Sequence, residues 1–89
     1  MKKNAKELVP QIIAMLSEIL KIPADQIKAT SSLTEELDID SLTIVRLDIL
    51  IQARLGLALS ADHLETIDSI QDLAEALIKY GQPVDKEDN

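Results

Sequence analysis

A chain of 89 residues has room for one domain with one modest core. It holds no cysteine and a single histidine, His63, which excludes a disulfide framework, a thiolate nucleophile and a histidine- or cysteine-built metal centre. Its net charge of −7 disfavours nucleic acid, whose phosphates select basic surfaces, and favours basic protein partners.

The first helix is expected over residues 8–20, where Leu8, Ile12, Met15, Leu16, Ile19 and Leu20 keep helical spacing. Pro10 fits the first turn, where its missing N–H breaks no hydrogen bond, and a start near Asn4 would place it inside the helix. Ile22-Pro23 ends this element. A long connection to Asp40 follows, with a short helical turn at residues 23–27 and another at Thr34 to Leu37. Ile27, Leu33 and Leu37 are its anchors in the core.

The second helix opens at Asp40-Ser41-Leu42 and runs to Leu55. At about 100° per residue, Ile44, Leu47, Ile51 and Leu55 share one face, the core stripe. Leu42, Val45 and Ile49 form a second apolar stripe on the opposite side, flanked by Arg46 and Ala53. That stripe is either further core or a docking face. The shortness of the chain favours partial exposure and docking. Either Asp40 or Ser41 can be the N-cap.

Gly56 suits a helix C-cap. Leu57-Ala58-Leu59 is an apolar strap, Ser60 caps a short third helix to about Glu65 with Leu64 inward, and His63 faces solvent. Asp68 is the N-cap candidate of the last helix, with Gln71 completing a capping box. Its core stripe is Ile70, Leu73, Ala74, Leu77 and Ile78, and Gly81 and Pro83 stop it. The expected fold is all-α: a small antiparallel bundle of three main helices plus one short helix, with no strand. Residues 1–7 form an N-terminal extension, 8–80 the domain, and 81–89 a disordered acidic tail.

Two catalytic or metal-binding readings fail. A serine hydrolase needs a base beside Ser41, but the sole histidine lies far along the chain in an acidic helix. An EF-hand needs glycine at the sixth loop position, where Thr43 stands if Asp38 is first. Glu35, Glu36, Asp38 and Asp40 are instead a solvated acidic loop or a surface for Lys and Arg of a partner. No enzyme activity and no metal site are expected.

Asp40-Ser41-Leu42 at the head of the second helix, with Leu33 and Leu37 before it and Leu47, Ile51 and Leu55 after it, resembles the acyl and peptidyl carrier proteins. The likeness spans residues 8–80. It implies that Ser41 is the attachment point of 4′-phosphopantetheine from coenzyme A, with Asp40 and Leu42 beside it. It further implies that acyl, polyketide or aminoacyl groups travel as thioesters on the arm's thiol. A phosphopantetheinyl transferase would supply the base and Mg²⁺. Leu42, Val45, Arg46 and Ile49, with Glu35, Glu36 and Asp38, would meet that transferase and the loading and condensing enzymes. The family usually has glycine where this chain has Asp38, and a phenylalanine where it has Leu33. A positive φ at Asp38 would be tolerated better than at most residues.

Housekeeping fatty-acid carriers resemble one another in an acid-rich second helix, which Thr43, Arg46, Gln52, Ala53 and Arg54 dilute here, and Val45-Arg46-Leu47 is more similar to carriers of polyketide or nonribosomal peptide pathways. The expectation is therefore a free-standing, cytoplasmic, monomeric carrier of a specialised pathway. The alternatives are a housekeeping fatty-acid carrier and a non-covalent helical adaptor whose Leu42/Val45/Ile49 stripe grips a partner helix. No membrane or nucleic-acid partner is expected.

Overall fold

The computed structural model describes residues 4–84. Four helices account for most of them: α1 (Ala5–Leu20), α2 (Ser41–Leu55), α3 (Ala61–Thr66) and α4 (Ile70–Tyr80). α1 packs against both α4 and α2. Its buried Leu8, Ile12, Met15 and Leu16 meet Leu47 and Ile51 of α2 and Ile70, Leu73, Ala74 and Leu77 of α4 in one aliphatic core. Each well-buried Leu or Ile contributes about 1.5–3 kcal/mol. The bundle expected from periodicity is present. No helix among the described residues is long and apolar enough to cross a membrane.

α1 begins earlier than the expected residue 8. Asn4 is its N-cap, the side chain accepting from the Glu7 N–H at 3.0 Å, and Glu7 places a negative charge in the first turn. Pro10 therefore lies inside the helix. The carbonyl it leaves without an amide is that of exposed Lys6, where water can substitute. Lys21 closes the helix in the left-handed conformation, its N–H bonded to the Ser17 carbonyl.

Strands were not expected, yet β1 (Leu57–Ala58) and β2 (Gln82–Pro83) pair antiparallel, Leu57 opposite Pro83 and Ala58 opposite Gln82. The Val84 N–H extends the ladder to the Gly56 carbonyl at 2.9 Å. Hydrogen bonding to the apolar strap thus orders the first residues of what the sequence suggested was a disordered tail. The rest of that tail, residues 85–89, and the start of the N-terminal extension, residues 1–3, lie outside the described residues.

Three local expectations shift. Ser69, not Asp68, caps α4, its side chain accepting from the Asp72 N–H at 3.2 Å, while the Asp72 carboxylate reaches back to the Asp68 N–H at 3.3 Å. Asp72 therefore takes the part expected of Gln71. Ile78 is exposed, since it sits at the edge of a stripe centred on Ile70, Leu73, Ala74 and Leu77. His63 is half-buried rather than turned to solvent. Its ring stacks on Tyr80 with centroids 4.2 Å apart, and its Nδ1 lies 3.0 Å from the Ser60 hydroxyl.

The long connection is fixed by main-chain bonds to the start of α4. Leu33 N–H bonds the Asp68 carbonyl and Gln71 N–H bonds the Ala29 carbonyl, both at 2.9 Å. Ile27, Leu33 and Ile39 are buried and Leu37 is half-buried. This anchoring sets where α2 begins.

Candidate functional site

The chain enters α2 through one left-handed residue. Asp38 has φ 53°, the conformation the sequence reading allowed for at this usual glycine position. The turn buries Ile39, whose N–H bonds the Leu33 carbonyl at 2.8 Å, and delivers Asp40 in extended conformation at the helix mouth. Sequence reasoning did not single out Ile39. The signal available was an apolar residue between two aspartates.

Asp40 is the N-cap, which resolves the choice between Asp40 and Ser41. Its Oδ1 accepts from the Thr43 N–H at 2.9 Å. That amide first, and the Thr43 hydroxyl second, hold the Asp40 carboxyl below the usual range. Ser41 is the first residue of the helix. It is exposed, and its hydroxyl makes no hydrogen bond with a described residue. Because capping has fallen to its neighbour, this oxygen is left to external chemistry.

Beside Ser41 lies an open cleft of about 330 Å³. Leu33, Ile39, Ile44, Val45, Leu64 and Ile67 make most of its wall, with Asp40, Ser41 and Glu65 also lining it. The wall joins the long connection, the first turns of α2 and the region of α3. Ile67 and Ala61 were not expected to share a site with Ser41; the loop-rich segment holding them shows too little periodicity to place them.

Leu42, Val45 and Ile49 are 62, 53 and 58% exposed, so the second stripe of α2 is not core. Arg46 is exposed on the same side and forms no ion pair with a described residue. Arg54, by contrast, is engaged by Glu18 through two bonds of 2.9 Å. Glu35, Glu36 and Asp38 are all exposed; Glu36 accepts from the Ser32 N–H at 2.9 Å, which fixes the turn. Among the described residues no group of His, Cys, Asp and Glu could hold a metal ion. His63 does not line the cleft; its Nδ1 lies 3.0 Å from the Ser60 hydroxyl and its ring stacks on Tyr80.

Ser41 is thus an exposed serine at a helix mouth, next to an apolar hollow. The family model "Phosphopantetheine attachment site" matches residues 10–77, and the chain belongs to that family, the carrier proteins that bear covalent 4′-phosphopantetheine. It is 34% identical to an acyl carrier protein of Saccharopolyspora erythraea, over 81% of this chain and 76% of the relative. It is 28% identical to one from Thermobifida fusca, over 89% of this chain and all of the relative. A third, from Bdellovibrio bacteriovorus, is 30% identical over 82% of this chain and 94% of its own length. The residues present suit the group. The exposed Ser41 hydroxyl, without a hydrogen bond to a described residue, would offer an ester oxygen.

Proposed function

We propose that the protein is an acyl carrier and that Ser41 is its attachment point. The observation that carries this reading is the Ser41 hydroxyl itself, exposed and unbonded while Asp40 caps the helix. In loading, Ser41 Oγ accepts the phosphoryl end of the arm, with the base and Mg²⁺ supplied by a transferase. The attached group supplies a thiol that holds cargo as a thioester. The chain's own residues do the rest. Asp40 fixes the helix mouth, Leu42 borders the serine, and the cleft walls offer apolar cover to whatever lies beside Ser41. The chain carries and does not catalyse.

The exposed Leu42, Val45, Arg46 and Ile49, with Glu35, Glu36 and Asp38 at the Ser41 end, support a docking surface with an apolar centre and charged rim. Such a surface suits brief visits by a transferase and by loading and condensing enzymes. Loading from coenzyme A is compatible with a cytoplasmic carrier.

The test is intact mass after incubation with coenzyme A, Mg²⁺ and a broad-specificity phosphopantetheinyl transferase. One phosphopantetheine should add to the wild type and none to Ser41→Ala. If several transferases leave the wild type unmodified, the adaptor reading takes its place.

Within carriers, the charge of α2 supports a specialised pathway over housekeeping fatty-acid synthesis, because Arg46 and Arg54 outnumber Asp48. Chain elongation on this protein by a housekeeping synthase, as fast as on that synthase's own carrier, contradicts this part.

A further inference from the structure

The exposed stripe of α2 has a polarity of its own. Leu42, Val45 and Ile49 line up with Ala53 and Arg46 along the helix, over a length of about 16 Å. Arg46 lies one turn from both Leu42 and Ile49 and makes no hydrogen bond or ion pair with a described residue. Of the helix's other charges, Arg54 pairs with Glu18 at 2.9 Å, and Asp48, which accepts from the neutral Gln52 amide at 3.0 Å, lies about 100° round the helix from Ile49, off the stripe. The stripe therefore carries a single uncommitted charge, and it is positive. Acidic groups collect before the Ser41 end, where Glu35 and Asp38 stand exposed in the connection that leads into the helix.

An enzyme that covers the apolar residues removes water from Arg46 as well. A guanidinium desolvated without an acceptor is costly, and a lysine or arginine set against it repels. We infer that the enzyme surface docking on α2 is an apolar hollow with a carboxylate opposite Arg46, its basic residues confined to the Ser41 end. This rests on the reading that Ser41 is loaded, since the enzyme must then straddle that end of the helix. The two charges of opposite sign fix which way round the partner lies.

The probe is the host's own phosphopantetheinyl transferase, purified, with the full-length carrier. Two quantities are measured: the Kd of the pair, and loading by intact mass. Arg46→Glu should weaken binding about tenfold and Arg46→Ala less. The gap between wild type and Arg46→Glu should narrow as salt rises from about 0.05 to about 0.5 M. Lys6→Glu, at an exposed position of α1, should leave Kd unchanged. In a second experiment Arg46→Lys supplies an amine that carbodiimide couples to a facing carboxylate. Peptide mapping should then join position 46 to an Asp or Glu of the transferase.

Equal or tighter binding by Arg46→Glu overturns the inference. So does coupling of position 46 to Glu35 or Asp38 of a second copy, with dimers in sedimentation, which assigns the face to self-association. The two readings separate cleanly. Tight, Arg46-dependent binding without loading refutes the attachment and leaves the docking surface standing. Loading with Arg46-independent binding refutes the docking surface alone.

Discussion

Asp40 Oδ1 sits 2.9 Å from the Thr43 amide nitrogen, so the residue before Ser41 does the capping and Ser41 does not. Division of labour between neighbours explains how a serine can stand at a helix mouth with its hydroxyl free. It also makes Asp40 a structural residue whose loss is felt at Ser41.

The cap is pH-sensitive. Asp40 has its carboxyl lowered by the Thr43 amide and then by the Thr43 hydroxyl. A lowered folded value means that the stabilisation is fully present above the unfolded value, 3.8, and is lost as pH falls through the folded one. Asp40→Asn keeps a side-chain acceptor but has no such titration. Thermal midpoints followed from about pH 6 to about pH 2 should therefore fall less steeply in Asp40→Asn than in wild type. Parallel curves would show that the cap contributes nothing to acid sensitivity.

Asp38 tests the turn. With φ at 53°, Asp38→Gly should be tolerated or stabilising, whereas Asp38→Val should cost about 1–2 kcal/mol. Urea unfolding followed by circular dichroism reads both. If valine is accepted without loss, the left-handed turn is not required.

The two stripes of α2 should separate stability from docking. Ile51 is buried, and Ile51→Ala should cost about 2–5 kcal/mol. Ile49 is exposed, and Ile49→Ala should change stability by no more than about 0.5 kcal/mol while slowing loading of Ser41. A large stability loss in Ile49→Ala contradicts the assignment of faces.

Gly81 ends α4 with an ordinary negative φ, so its need for glycine is steric. A Cβ there would run into the Leu77 carbonyl oxygen of the preceding turn. Gly81→Ala should lose about 1–3 kcal/mol. The amide of Ala58 should also exchange faster with deuterium, because β2 must shift to make room. Unchanged exchange at β1 would separate the glycine from the sheet.

The helical core was readable because Leu, Ile, Met and Ala recur at the helical period in α1, α2 and α4. The exposed stripe was readable for the same reason: a short chain cannot bury both sides of its middle helix. The start of α1 was misplaced because a proline argues locally for a first turn, while the Asn4 cap and the exposure of Lys6 outweigh it. The β1–β2 pair could not be seen, since two-residue strands have no period and their register depends on where α2 and α4 end. The cleft beside Ser41 was half visible. Leu33 and Leu64 announced themselves as inward, but Ile39 and Ile67 became neighbours of the serine only through a turn at Asp38 and a loop without pattern.

The Val84 amide bonded to the Gly56 carbonyl brings the end of the described chain to the end of α2, some 15 residues, or about 22 Å of helix, from Ser41. A fluorophore attached to the side chain at position 84 is therefore remote from the hydroxyl. Labelled protein made that way can report on visiting enzymes without standing in their approach.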